Sequence, residues 1–106
     1  LTRSIFVSTL NMFEFSFDPA KSERNRLERG LSFERIIEFN WLNAVIRPDD
    51  RRNYGEPRFR AIGFIGTRLH VAIYTPRYPR IHVISLRKAN RREMRTYEKE
   101  TEPRID

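Results

Sequence analysis

The sequence predicts one compact α+β domain, and three observations lead to that class. The chain has 106 residues, close to the most common length of a single domain. Eight Phe, four Tyr and one Trp can bury large areas although only 39% of the residues are hydrophobic. Alternating apolar segments follow helical segments along the chain, which is typical of a mainly antiparallel sheet with two N-terminal helices and one C-terminal helix.

A strand and a well-delimited helix are predicted near the N-terminus. The period of two that marks a half-buried strand is set by three aromatic residues, Phe13, Phe15 and Phe17. Asp18 then provides an N-cap before Pro19, and Gly30 is available as the left-handed residue that ends a helix. These signals predict a helix over 19–29.

A second helix and a short strand follow. Ser32 is a cap for a helix over about 33–42, whose apolar stripe consists of Phe33, Ile36, Ile37 and Trp41. Residues 43–47 are predicted as a strand. The polar segment 48–57 is then a loop long enough to have a function.

The C-terminal half predicts three strands and a helix. The strands are expected over 58–65, 68–75 and 80–86, the first two forming a hairpin about Gly66 and Thr67. Asn90 and Glu93 have the spacing of a capping box, so the last helix should begin there and run to about residue 99.

The organised pattern begins at Met12, which we interpret as the natural first residue. Residues 1–11 are therefore predicted to be an N-terminal extension outside the core, and residues 12–100 the folded domain. A flexible arm or an added strand is the alternative for residues 1–11. Residues 101–106 are predicted to be a flexible tail.

Positive charge is concentrated in one segment. The chain has a formal net charge of +7, and residues 77–95 hold seven basic residues against one acid, Glu93. Of the 21 basic residues, 18 are Arg, which favours bidentate contacts with phosphate. A solvated, solubilising surface is the alternative explanation of such a charge run.

Several kinds of chemistry are disfavoured by the residues present. There is no Cys, so disulfides, zinc thiolates and thiol nucleophiles are excluded, and the cytoplasm is the expected compartment. The two histidines, His70 and His82, lie on different predicted strands. Adjacent Asp49 and Asp50 are more typical of a turn than of a magnesium site. We therefore expect no metal, no other cofactor and no membrane contact.

Metal-free cleavage of RNA remains open to such a chain, because the 2′-hydroxyl of RNA can attack the adjacent phosphate. The protein must then orient that hydroxyl and stabilise charge on the phosphoryl oxygens. Arg87 and Lys88 are the first candidates for the stabilising cations, since they lie where a strand leads into a helix N-terminus. Arg80 is seven residues before Arg87 on the same strand, which would put it on the opposite face of a regular strand.

The remaining candidates have structural alternatives. Tyr97 is a further catalytic candidate, but it shares an apolar stripe with Met94. The predicted RNA-binding residues are Lys21, Arg58, Arg91 and Arg92. Arg58 contacts phosphate or pairs with Glu56, and Lys21 is either functional or an ordinary exposed lysine. A non-catalytic nucleic-acid-binding module and a purely structural interaction protein remain alternative functions.

Several short motifs resemble the BrnT family of toxins. They are Phe13-Glu14-Phe15, Asp18-Pro19-Ala20-Lys21, Asn25, Gly30-Leu31-Ser32-Phe33-Glu34, Tyr54-Gly55-Glu56-Pro57-Arg58, Ile62-Gly63, Arg80 through Ala89, Arg92-Glu93 and Tyr97. The resemblance implies a ribonuclease toxin with a fold like the RelE toxins, neutralised by a BrnA-like antitoxin that also binds DNA.

Two positions depart from the pattern that this resemblance implies. Arg29 stands where the family's usual Lys-His-Gly has histidine, and Leu86 stands where a small residue is usual. If that histidine is catalytic in the family, Arg29 could hold a phosphate but would be a poor general base.

Overall fold

The computed structural model describes residues 5–8 and 14–103. Over these residues six strands form one sheet: β1 (Ile5–Ser8), β2 (Glu14–Phe17), β3 (Val45–Pro48), β4 (Phe59–Ile65), β5 (Arg68–Arg77) and β6 (Arg80–Lys88). Two α-helices, α1 (Pro19–Arg29) and α2 (Arg91–Thr101), and a 3₁₀ helix (Phe33–Glu38) accompany them. The predicted α+β class is confirmed.

The sheet has the order β1-β2-β6-β5-β4-β3. All described strand pairs are antiparallel except β2 with β6, which run parallel. A parallel pair needs a long connection. Here the helices and the other strands between Phe17 and Arg80 provide it, so the N-terminal strand joins the C-terminal one near the middle of the sheet.

Helix α1 forms where the sequence predicts it. The Asp18 carboxylate accepts hydrogen bonds from the Ala20 and Lys21 amides, and Gly30 closes the helix at a φ of 68°. The predicted capping box of α2 is also present, because Asn90 and Glu93 each accept the other's backbone N–H. Local hydrogen bonding therefore fixes both ends of α1 and the start of α2.

The prediction of a second α-helix over 33–42 was wrong. Residues 33–38 form a 3₁₀ helix, and Phe39 then pairs with Ile65 at the edge of the sheet, which ends the helix. Three residues per turn replace 3.6, so the buried stripe is Phe33, Ile36 and Phe39. Ile37, which an α-helical stripe would bury, is 47% exposed.

The N-terminal segment contributes a strand that the sequence pattern did not indicate. β1 pairs antiparallel with β2, from Ile5 opposite Phe17 to Ser8 opposite Glu14. It lies inside the stretch 1–11 that was predicted to be an extension, while Met12 and Phe13 lie outside the described residues. The predicted tail also begins inside α2, which ends at Thr101.

The two faces of the sheet carry different cores. On the first face Phe15, Phe17, Ala72 and Leu86 pack with the 3₁₀-helix residues. On the second face the buried residues pack with α2 and are Val45, Ile62, Leu69, Val71, Ile73, Ala89 and Tyr97. Helix α2 contacts β3 and β4, so the apolar part of the second face lies on that side of the sheet.

Close packing of the first face requires a glycine on β4. A Cβ at Gly63 would lie 2.7 Å from the Phe39 ring and 3.2 Å from the Asn40 carbonyl. We predict that Gly63→Ala lowers the free energy of unfolding by about 1–3 kcal/mol, the usual cost of overpacking. Urea unfolding measures this, and Phe39→Leu in the same background should recover part of the loss. A Gly63→Ala variant as stable as the parent would contradict the packing described.

Candidate functional site

The second face carries polar side chains where α2 does not pack. Strand alternation and register place several of them on this side, among them Ser16, Arg60, Thr75, Arg77, Arg80 and His82. We call these six residues the polar half of the second face. Ser16, Thr75 and His82 are buried, whereas Arg77 is exposed, so the polar half has a closed floor with cations around it.

A β-bulge determines which residues of β6 belong to this face. The pairing passes from Ile73 with Ser85 to Tyr74 with Val83, which leaves Ile84 as an extra residue. Arg80 and Arg87 consequently lie on the same face, opposite Arg77 and Val71, respectively. The expectation that a seven-residue separation puts them on opposite faces assumed a regular strand and was wrong.

Arg87 and Lys88 do not converge on one point. Lys88 is opposite His70, one residue from Arg87 opposite Val71, so the two side chains leave the strand on opposite faces. Lys88 is exposed, whereas Arg87 is half-buried beside α2. A single phosphate held by both, the arrangement expected from their adjacency, requires a different backbone geometry.

Arg87 is committed to an ion pair with Glu93. Its two terminal nitrogens donate to the two carboxylate oxygens at 2.7 and 2.8 Å, and the Glu93 side chain is only 10% exposed. The same carboxylate accepts the Asn90 amide. Hydrogen bonding to Arg87 lowers the pKa of Glu93, and the carboxylate in turn raises the pKa of Arg87. The pair joins the start of α2 to the sheet.

Arg60 differs from four neighbouring arginines because no described carboxylate lies within ion-pair distance of it. Arg47, Arg77, Arg80 and Arg87 pair with Glu100, Glu56, Glu14 and Glu93, respectively. Arg60 is half-buried and lowers the pKa of both Asp49 and Glu93 through space, so it lies near both acids. Its charge is therefore available to an anionic ligand.

The loop 49–58 adds a second available guanidinium. Arg58 lies over the Tyr54 ring, with 3.9 Å from its Cζ to the ring centroid, and its buried Nε has no hydrogen-bond partner among the described residues. Glu56, the alternative ion-pair partner of Arg58, pairs with Arg77 instead at 3.3 Å. A buried donor without an acceptor is uncommon, and Arg58 has no carboxylate partner among the described residues.

The same loop uses Asp49 for structure. Its carboxylate accepts two hydrogen bonds from Arg51 at 2.6 and 2.9 Å, and its amide donates to the Arg58 carbonyl. Arg51 lowers the pKa of Asp49. Over the described residues no group of three His, Asp or Glu side chains is arranged to hold a metal ion.

The other predicted residues lie around or away from the polar half. Lys21 is exposed in the first turn of α1 and is close enough to lower the pKa of His82. Arg91 and Arg92 are exposed in the first turn of α2. Tyr97 is buried against Phe64, and its hydroxyl donates to the Asn43 carbonyl at 3.2 Å, which gives it a packing role.

A comparison with protein families places this geometry in context. The model of a family described as a ribonuclease toxin, BrnT, of a type II toxin–antitoxin system matches residues 17–93, most of the chain. The chain belongs to the BrnT family. The match runs from the last residue of β2 to the start of α2, so it contains every residue of the polar half except Ser16.

Membership of the BrnT family gives the protein an RNA target and an antitoxin partner. Neither the curated proteins nor the solved structures gave a match, so the likeness to the RelE fold stays a prediction. No helix among the described residues is long and apolar enough to cross a membrane.

Sequence reasoning missed two residues that the geometry of this BrnT-family chain brings forward. Arg60 is one arginine among 18, and only the surrounding ion pairs distinguish it. His82 was not named as a site residue, because the sequence shows only two histidines and places them on different strands. Its contact with Ser16, 66 residues away in the chain, exists only in the folded protein. The signal available for Arg60 was its two-residue spacing from Arg58, which puts both side chains on one side of an extended segment.

The Arg87–Glu93 pair predicts a loss of stability in one variant. Arg87→Ala leaves the Glu93 carboxylate buried with only the Asn90 amide as partner, so the free energy of unfolding should fall by about 1–3 kcal/mol. Arg92→Ala, which removes an exposed arginine from the same helix end, should change it little. Denaturant unfolding of both variants measures the difference.

The difference in unfolding free energy between the parent and Arg87→Ala should also depend on pH. The folded protein has a Glu93 pKa below the ordinary 4.5, so the pair stabilises fully above that pH and less as pH falls through the folded pKa. The gap between the parent and Arg87→Ala should therefore narrow below about pH 4.5. A gap that stays constant into acid would show that the ion pair is not its cause.

Proposed function

We propose that the toxin cleaves RNA without a metal, on the polar half of the second face and with the 2′-hydroxyl of the substrate as nucleophile. The supporting observation is that Arg58 and Arg60 are cations without carboxylate partners beside this surface. Backbone phosphate is the ligand that such guanidinium groups suit best, since both can donate two parallel hydrogen bonds.

The arrangement suits transition-state stabilisation better than general attraction. Four neighbouring arginines are paired with acids, which reduces the net positive field that would bind any polyanion. Two unpaired guanidiniums can then act at one position where charge grows on the phosphoryl oxygens. Arg58 is held by Tyr54, so part of the cost of ordering it is met before RNA binds.

In this proposal the cations predicted from the sequence have different roles from one another. Arg80 lies on the polar half and remains a candidate phosphate contact, whereas Arg87 acts mainly by holding α2 to the sheet. Lys21, Arg91 and Arg92 are exposed and available to flanking phosphates. The antitoxin partner is, in this proposal, a BrnA-like protein that also binds DNA.

Metal independence is tested by cleavage of RNA by the purified, antitoxin-free toxin in EDTA. We expect undiminished cleavage and fragments that end in a 2′,3′-cyclic phosphate or a 3′-phosphate, because the substrate supplies the nucleophile. An RNA with a single 2′-deoxy nucleotide at the cleavage position should not be cleaved at that bond. Loss of activity in EDTA that magnesium or manganese restores would contradict the proposal.

Arg60→Ala tests the assignment of the site. Losing one transition-state donor typically costs about a hundredfold or more in rate, so kcat should fall by that factor while RNA affinity falls much less. Arg35→Ala is the matched control, since Arg35 is an exposed arginine of the 3₁₀ helix on the first face. Single-turnover kinetics and filter binding measure the two quantities.

The outcome also separates catalysis from binding alone. Equal and small effects of Arg60→Ala on affinity and on cleavage would favour the non-catalytic nucleic-acid-binding module. A loss of cleavage with Arg35→Ala as large as that with Arg60→Ala would place the reaction elsewhere.

A further inference from the structure

The polar half contains one buried titratable group, His82, that has no part in the proposed phosphate binding by the arginines. His82 is 9% exposed and lies on β6 between Thr75 of β5 and Ser16 of β2. Its Nδ1 is 2.8 Å from the Ser16 hydroxyl oxygen, and Ser16 is itself 3% exposed. The parallel pairing of β2 with β6 creates this contact by setting the two residues side by side.

The second ring nitrogen of His82 is open to a ligand. Nε2 has no hydrogen-bond partner among the described residues and is not one of their fully enclosed, unpaired polar atoms. With the proton on Nδ1, donated to Ser16, Nε2 carries a lone pair. Thr75 does not compete for it, because its hydroxyl donates to the Pro57 carbonyl at 2.6 Å.

Burial, more than the nearby charges, favours the neutral form of His82. Burial is the main cause that lowers its pKa below the ordinary 6.5, and Arg77 and Lys21 lower the pKa further. Glu56 and Asp18 oppose them by raising it. At neutral pH the ring is therefore a base and not an acid.

The distance to the available arginines fits one cleavage site. Arg60 and His82 lie on β4 and β6, with β5 between them, and their partners on β5, Ile73 and Thr75, are two residues apart. Two strand spacings across the sheet and two residues along it separate their backbones by about 12 Å. A long arginine side chain can reach a phosphate across most of that gap. The phosphate and the ribose hydroxyl of one nucleotide then lie between the cation and the imidazole.

We propose that His82 is the catalytic residue that accepts the proton of the attacking 2′-hydroxyl, and that Ser16 is a positioning residue that accepts the Nδ1–H of His82. This inference rests on the proposed metal-free cleavage. The 2′-oxygen forms a bond to phosphorus as the bond from phosphorus to the 5′-oxygen breaks. The 2′-proton goes to Nε2, and the leaving 5′-oxygen takes a proton from water. The products are a 2′,3′-cyclic phosphate and a 5′-hydroxyl, and the imidazolium returns its proton to solvent.

The chain offers a matched control histidine. His70 is also buried, at 4% exposure, on a neighbouring strand, and burial lowers its pKa as well. Its Nδ1 contacts the Arg68 carbonyl at 2.8 Å, and strand alternation places it on the first face. The two histidines thus share burial and chemistry and differ in the face on which they lie.

The first experiment compares His82→Gln with His70→Gln in the full chain. General base catalysis typically contributes between a hundredfold and ten-thousandfold, so His82→Gln should lower kcat by about a hundredfold or more. His70→Gln should leave kcat within about twofold, and thermal unfolding of both variants reports any structural loss. Cleavage by His82→Gln at the parent rate, or equal losses in both variants, would overturn the inference.

The second experiment tests the positioning role of Ser16 through pH. In the parent, kcat/KM should rise with pH to a plateau, with a midpoint below 6.5, because the base must be unprotonated. His82→Gln should lose this rise. Ser16→Ala should lower kcat more than it changes KM, and Ser16→Thr should restore it. A Ser16→Ala variant that loses thermal stability but keeps kcat and the pH profile would assign Ser16 a structural role only.

A modified substrate distinguishes a base from an acid. RNA with sulfur in place of the bridging 5′-oxygen has a leaving group that needs no proton. If His82 is the base, this substrate does not rescue His82→Gln; rescue to the parent rate would show an acid and overturn the assignment. If the parent toxin makes no cyclic or 3′-phosphate ends at all, the proposed function itself fails, which is a separate result.

Discussion

The register shift between β5 and β6 is the feature on which both the fold and the candidate site depend. Val83 and Leu86 fill the first face although they are three residues apart, which a regular strand cannot achieve. The bulge at Ile84 resolves this and at the same time turns Arg80, His82 and Arg87 to the second face. One inserted residue therefore completes a core on one side and assembles a polar surface on the other.

The sheet order explains why this surface has a buried floor. β6 is covered on one side by β2 and on the other by β5, so His82 is enclosed by neighbours from distant parts of the chain. A buried imidazole is unfavourable when charged, and the Ser16 hydroxyl satisfies one of its nitrogens without adding charge. Among the cations of this surface, in contrast, Arg77 is exposed and Arg60 and Arg80 are half-buried, so they lie nearer to solvent than His82 does.

Ion pairing gives the arginines of this chain two kinds of role. Arg87 with Glu93 and Arg47 with Glu100 connect α2 to β6 and β3, and Arg51 with Asp49 shapes the loop. Exposed pairs of this kind add little stability, but the half-buried Arg87 pair also completes the helix cap. Arg58 and Arg60 have no carboxylate partner among the described residues, and our proposal assigns them to the substrate. A count of positive charge therefore overstates how many arginines are without an acidic partner.

Local sequence signals predicted the elements that local interactions form. Asp18, Gly30 and the Asn90–Glu93 pair carry their own hydrogen-bond partners within a few residues, and they gave α1 and the start of α2 correctly. The β1 strand, the bulge and the parallel pairing of β2 with β6 arise from contacts between distant segments, which no single window of sequence contains. The 3₁₀ helix was missed because its stripe differs from an α-helical one only at Phe39 and Ile37.

For the candidate site, too, the sequence indicated what depends on local composition but not what depends on contacts between distant segments. Composition predicted a basic surface and led to the proposal of a metal-free reaction, and Arg58 and Arg80 were named as candidates. Which arginines are already neutralised, and which histidine lies beside them, depends on tertiary contacts such as Arg87 with Glu93 and Ser16 with His82. The resemblance to the BrnT family identified the type of protein without locating these contacts.

The most direct test of the account is to map where RNA binds. The toxin labelled with ¹⁵N is titrated with a short RNA whose 2′-hydroxyls are methylated, so that it binds without being cut, and amide shifts are followed by NMR. The account predicts the largest changes at Arg58, Arg60, His82 and their strand neighbours on the second face. Changes confined to the 3₁₀ helix and the first face, with these residues unaffected, would contradict it.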